Sequence, residues 1–137
     1  GFRIPSNPQK PSVAVHVRRG DYVNLGTTME KEYYINAVRK MKEYVENPQI
    51  YLFSDDLDWA RSLKLSDDCI CVNEGRLMSD AEEMMCMSEC DHFIISNSTF
   101  GWWSAWLGKN QGKRVICPKE WKISDTRGMI PEEWIRI

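Results

Sequence analysis

Two clusters in the chain combine residue types that handle anions. The first runs from Ser96 through Asn97, Ser98, Thr99, Phe100 and Gly101 to Trp102, Trp103, Trp106 and Gly108, so three of the six tryptophans stand behind small hydroxyl and amide side chains. It follows Asp91-His92-Phe93-Ile94-Ile95, an apolar run that reads as a buried strand. A strand that breaks into Asn97-Ser98-Thr99 and then a helix presents free backbone N–H groups at its tip, which is an anion site for which phosphate is the usual guest. Trp102 and Trp106 are four apart and share a helical face. That face reads as core packing, with sugar stacking as the alternative.

The second cluster is Val13-Ala14-Val15-His16-Val17-Arg18-Arg19-Gly20-Asp21-Tyr22. Val13 to Val17 is β-branched and lies between Pro11 and Gly20, as a buried strand would. Alternation along that strand sends His16 and Arg18 to one face and Val15 and Val17 to the other. Arg19 falls at the carboxyl end, the edge at which open α/β sheets bind ligands. Paired guanidinium forks suit a pyrophosphate, whereas the plainer reading is a surface arginine pair with ordinary ion pairs. His16 orients nucleotide or arginine more readily than it serves as a base. A third feature, Asp55-Asp56, follows Ile50–Phe53 and Ser54. One of its carboxylates could accept from guanine N1–H and the exocyclic amine, or the pair could complement a helix dipole with Ser54 as N-cap. Local sequence leaves both open.

These residues resemble a family. His16-Val17-Arg18-Arg19-Gly20-Asp21-Tyr22, Phe53-Ser54-Asp55-Asp56 and Asn97-Ser98-Thr99-Phe100-Gly101-Trp102-Trp103 occur in the order and spacing of the α-1,2-fucosyltransferases of glycosyltransferase family 11. The match covers the carboxyl-terminal half of a typical member, and Gly101 stands where a serine is usual, a change that eases the helix start. The resemblance implies a donor half that takes GDP-β-L-fucose and passes fucose with inversion to a galactoside hydroxyl of a glycan acceptor. Arg18 and Asp21 would be catalytic. His16, Arg18, Arg19, Asp55, Asp56, Asn97, Ser98, Thr99 and Phe100 would bind the nucleotide sugar, with an acidic residue near Asp55 reading guanine. No metal and no cofactor are implied. By itself such a half is expected to bind nucleotide and transfer little, the missing amino-terminal half being its partner.

The positioning elements follow from the pattern. Residues 1–11, with Pro5, Pro8 and Pro11, read as a linker or tail, and 12–137 as one GDP-fucose-binding domain. Thr27 and Glu30 would cap a helix reaching about Glu46, with Tyr34, Ala37, Val38, Met41 and Val45 as its apolar face. Further strands are expected at Ile50–Phe53, Cys69–Val72, Asp91–Ile95 and Lys113–Cys117. Helices are expected after Asp56, after the Ser79/Glu82 pair (with Met84, Met85, Met87 and Cys90 apolar) and through the tryptophans. From Pro118 onward the chain reads as irregular, with Trp121 and Trp134 folding back on the core. Strands alternating with helices imply an α/β fold, a doubly wound, Rossmann-like, mostly parallel five-stranded sheet. It resembles the nucleotide-sugar-binding half of a GT-B glycosyltransferase.

Composition excludes several classes. The 137 residues carry a net charge of −2, concentrated in an acidic middle: residues 51–100 hold 3 basic and 11 acidic side chains. A nucleic-acid surface would want a basic stripe, and no apolar run approaches a membrane span or signal peptide. Five cysteines without Cys-x-x-Cys spacing suggest reduced thiols and a cytoplasmic chain, free or peripheral at the inner face of the membrane. A metal site at Cys86, Cys90 and His92 lacks a fourth ligand. The Asn97-Ser98-Thr99 sequon would not meet a transferase in that compartment. Two rivals remain: a non-catalytic sugar-binding module, requiring an accessible Trp102 or Trp103, and a nucleotide hydrolase, for which no Gly-x-x-x-x-Gly-Lys loop exists.

Overall fold

A computed structural model describes residues 3–20, 28–74, 78–119 and 130–137. Among these lie β1 (Ser12–Val17), α1 (Lys31–Met41), β2 (Gln49–Ser54), α2 (Leu57–Ser62), β3 (Ile70–Cys71), α3 (Asp80–Ser88), β4 (His92–Ile94), α4 (Thr99–Leu107), β5 (Val115–Cys117) and β6 (Ile135–Arg136). The strands form one sheet in the order β3-β2-β1-β4-β5-β6. Every pairing is parallel. The sheet therefore has six strands where the sequence suggested five. The sixth, Ile135–Arg136, is too short to show alternation and follows a stretch that reads as irregular.

Parallel strands covered on both faces read as continuous apolar runs, and β1 is buried along its whole length. Val13, Val15 and Val17 point into one layer with Tyr34, Ala37, Val38 and Met41 of α1 and Ala60 of α2. Ala14 joins the opposite layer with Phe53, Phe93, Ile95, Cys86 and Met87 of α3 and Ala105 of α4. Two helices per face make the sheet doubly wound, as alternation along β1 predicts.

Several boundaries differ from expectation. Helix α1 begins after Glu30, which makes no side-chain cap, and Thr27 lies outside the described residues. It ends at Met41 rather than Glu46. Tight bonds from Glu43 N–H to the Lys40 carbonyl and Tyr44 N–H to Met41 then curl the chain so that Val45 still reaches the core. The Ser79/Glu82 capping box forms as read. On α3 the helical period turns Cys86 and Met87 inward and leaves Met85 in solvent. Trp134 is buried, and Trp121 lies outside the described residues. The amino-terminal segment is tied down by an Arg3–Glu89 ion pair and by Ile4 against the second layer.

Candidate functional site

Strand β1 lies at the point where the winding reverses: the chain leaves it for β2 on one side, while β4 lies on the other. Loops at the carboxyl ends of such neighbours diverge and leave a crevice. Its two walls are the Arg18-Arg19-Gly20 turn after β1 and the Ser96–Thr99 turn after β4.

The arginine turn is built by the aspartates of the β2 loop. The Arg19 backbone N–H donates to Asp55 Oδ1 at 2.8 Å, and Arg18 Nε stands 3.6 Å from Asp55 Oδ2. Gly20 leaves room for this carboxylate: a Cβ there would lie 2.4 Å from that same Oδ2 and push it aside. Arg19 Nε pairs with Asp56 Oδ2 at 3.3 Å while its guanidinium lies 4.0 Å over the Trp59 ring. Asp56 Oδ1 in turn accepts from Trp59 N–H at 3.3 Å, so Asp56, not Ser54, caps α2. Ser54 instead donates its hydroxyl to the Val17 carbonyl and accepts from Asp56 N–H, both at 2.9 Å, clamping the ends of β1 and β2 together. Of the two roles open for Asp55-Asp56, the geometry displays the structural one: each carboxylate is engaged by the arginines or by α2. Asp21 lies outside the described residues.

His16 forms the floor. It is buried, with Nδ1 3.3 Å from Ser96 Oγ and its ring stacked on Phe100 at 5.1 Å. Gly101 makes room for it, since a Cβ there would meet Nδ1 at 3.1 Å and Ile95 Cβ at 3.2 Å. Burial first, and the Arg18 charge second, push His16 down to about 3. The imidazole is therefore neutral at physiological pH. Its folded value lies below the ordinary 6.5, so the unfolded chain binds the extra proton. Stability from this group is complete above about pH 6.5 and is lost as pH falls toward 3. Half-buried His92 is also lowered. Chemical unfolding across pH 4–7 should show a steeper acid loss in the parent than in His16→Gln, by up to about 1.4 kcal/mol per pH unit.

The facing wall is the first turn of α4. Ser98 caps it, its Oγ accepting from Gly101 N–H at 3.4 Å. Asn97 and Ser98 are buried, Phe100 is half-buried and Thr99 is exposed at the lip. A buried Asn97 also disposes of the glycosylation sequon. This turn and the helix amino terminus stand at the same sheet edge as Arg18 and Arg19, after the strand next to β1, an arrangement suited to a doubly charged diphosphate.

Three contributors escaped the sequence reading. Tyr33 donates its hydroxyl to the Ile95 carbonyl, bracing the strand just before the Ser96 turn. Tyr34, read as part of an apolar face, buries its hydroxyl near Ser96, Arg19 and Asp55, and burial raises its pKa. Glu83, in the first turn of α3, is a half-buried carboxylate raised by burial and by the charges of Asp80 and Asp55. A tyrosine in place of phenylalanine was the available signal for the first two.

Other candidates resolve differently. Trp102 is half-buried, but Trp103 and Trp106 retain 49% and 52% of their surface, so the tryptophan stripe is not core throughout. Cys86 and Cys90 pack in the core, and all five cysteines are free thiols. His92 Nδ1 accepts from Arg114 N–H at 2.9 Å. Among the described residues no three metal-type side chains gather, and no helix is long and apolar enough to cross a membrane. A concavity of about 1320 Å³ lies elsewhere, between Arg3, Ile4, Met78, Met85 and Lys109. Its lining includes Glu82, Glu89 and Asp91, an unfavourable setting for an anion.

The doubly wound, all-parallel topology defines an α/β domain of Rossmann-like type. Residues 2–137 match the model of glycosyl transferase family 11, and the chain belongs to that family. It is 35% identical to an alpha-1,2-colitosyltransferase of Escherichia coli over 92% of this chain and 47% of that protein. It is 30% identical to the Escherichia coli O-antigen biosynthesis glycosyltransferase WbnK, over 92% of this chain and 44% of that one. The galactoside 2-alpha-L-fucosyltransferase SEC1 of Bos taurus is 31% identical over 78% of this chain and 31% of its own length. The chain thus spans less than half the length of these relatives.

Proposed function

We propose that residues 12–137 form the donor-binding domain of an α-1,2-fucosyltransferase that holds GDP-β-L-fucose in the crevice between the β1 and β4 ends. The observation that carries this reading is the pair of arginines, fixed by Asp55 and Asp56, opposite the capped amino terminus of α4. As the bond from the anomeric carbon to the β-phosphate oxygen breaks, negative charge grows on GDP. Arg18, Arg19 and the amides of Ser98 and Thr99 meet it, more strongly in the transition state than in the ground state. The acceptor hydroxyl attacks the opposite face of that carbon, inverting it, and its proton passes to a base, a role for which Asp21 is the candidate. In this reading arginine and helix dipole balance the diphosphate, with no divalent ion called upon.

Asp55 and Asp56 each already hold an arginine, and Glu83, half-buried and within electrostatic reach of Asp55, is the further carboxylate proposed to accept from guanine N1–H and its amine. The acceptor glycan, a galactoside by analogy with the bovine relative's name, requires further residues for efficient transfer, so the chain alone binds donor and turns over little. Calorimetric titration tests the binding half: GDP should give saturable heat and fucose none. Absence of heat at millimolar GDP contradicts it. The exposed Trp103 also favours carbohydrate contact.

A further inference from the structure

The arginine turn has a third holder besides its two aspartates. Trp59, in the first turn of α2, is half-buried and packs against the first core layer. The Arg19 guanidinium lies over its ring, 4.0 Å from the centroid. Tyr34 of α1, fully buried, meets the same indole edge-on at 6.0 Å and 77°. A line of contacts thus runs from the core, through Tyr34 and Trp59, to an arginine at the sheet edge.

Trp59 acts on Arg19 twice. Its backbone N–H donates to Asp56 Oδ1, while Arg19 Nε donates to Asp56 Oδ2, both at 3.3 Å. A tether at Nε and a ring over the guanidinium together fix the direction and the tilt of that group. Asp56 takes the Nε–H, one of five guanidinium donors, and the fork of terminal nitrogens is the part suited to a diphosphate. The Arg19 side chain keeps only 19% of its surface exposed, so it has little freedom left to lose. A lysine ammonium has no planar face to set against the indole, which accounts for arginine at this position.

We infer that Trp59 is a positioning residue of the donor site, acting through Arg19 rather than on the nucleotide. Its indole holds the guanidinium ready, so that less side-chain freedom is lost when a diphosphate binds. The inference rests on the donor reading of the crevice and adds to it a residue outside both turns. The link to Asp56 runs through the Trp59 backbone N–H, which any substitution short of proline retains. Changing the side chain therefore removes the ring alone and leaves the cap of α2 in place.

The test is a double-mutant cycle on the whole chain, read by calorimetry with GDP and with inorganic pyrophosphate. Trp59→Leu should weaken both ligands about three- to ten-fold with their ratio unchanged, and Trp59→Phe, which keeps a ring face, should recover most of the loss. In an Arg19→Ala background Trp59→Leu should weaken binding no further, because the ring then has nothing to hold. The Arg19 Nε–H proton, shielded by the indole in the parent, should move downfield in Trp59→Leu with or without ligand. An unchanged circular dichroism spectrum shows that the variants fold, and Trp59→Met replaces Trp59→Leu in the cycle if the latter does not. Equal GDP affinity in parent and Trp59→Leu overturns the positioning role and spares the donor site. So does a Trp59→Leu loss that is the same with Arg19 present or removed. A parent that binds neither GDP nor pyrophosphate removes the donor reading and the positioning role together, even where the Nε–H shift is seen.

Discussion

Arg18→Ala should weaken GDP binding by about 10- to 100-fold while leaving the fold intact. Hydrogen bonds to a charged group contribute about 1.5–3 kcal/mol each, and Arg18 stands at the crevice with its Nε 3.6 Å from Asp55. Its side chain is 36% exposed, so its removal opens no core cavity. In the assembled transferase the same substitution should cut kcat about a hundred-fold, because the guanidinium faces charge that develops only as the leaving group departs. Arg18→Lys is expected to recover part of the affinity and little of the rate: an ammonium supplies charge without the planar fork. Equal GDP affinity in parent and Arg18→Ala would remove Arg18 from the site.

The second large effect separates base reading from arginine positioning. Glu83→Gln should lower GDP affinity about ten-fold or more and leave inorganic pyrophosphate untouched, because only the base needs a carboxylate acceptor. Lowering the pH toward the raised pKa of Glu83 should weaken GDP in the same base-dependent way. Asp55→Ala should behave oppositely. It frees the Arg19 backbone N–H and the Arg18 side chain together, so GDP and pyrophosphate should both fall about ten-fold, their ratio constant. Competition calorimetry with the two ligands reads both variants. A loss of GDP alone in Asp55→Ala would restore guanine reading to that aspartate and take it from Glu83.

The periodic parts of this fold were legible in the sequence. The Val13–Val17 run, its alternation and the strand–helix order led to a doubly wound parallel sheet and brought His16, Arg18, Arg19 and the Asn97–Phe100 turn to one edge. Strand β6 was not legible, since its two residues carry no period that local sequence can display, whereas the equally short β3 falls inside the strand expected at Cys69–Val72. Nor was the division of labour among carboxylates. Asp55 and Asp56 are adjacent to one another but 36 residues from the arginine turn they hold, a relation that only the β1–β2 register creates. Val17 opposite Ser54 sets Arg18 beside Asp55. Glu83 carries no sequence signal beyond its place beside Glu82, and burial, which propensity does not report, sets it apart. The tryptophans divided: Trp102 packs against the second core layer as its spacing suggests, while Trp106 stacks on it and keeps 52% of its surface exposed.

A diphosphate held between the arginine turn and the α4 amino terminus would be seen first by backbone amide NMR with GDP. Saturable shifts are expected at Arg18, Arg19 and Gly20 and at Ser98, Thr99 and Phe100, the two groups moving with one dissociation constant. Shifts confined to the groove beside Arg3 and Met85, or none at millimolar GDP, would contradict it.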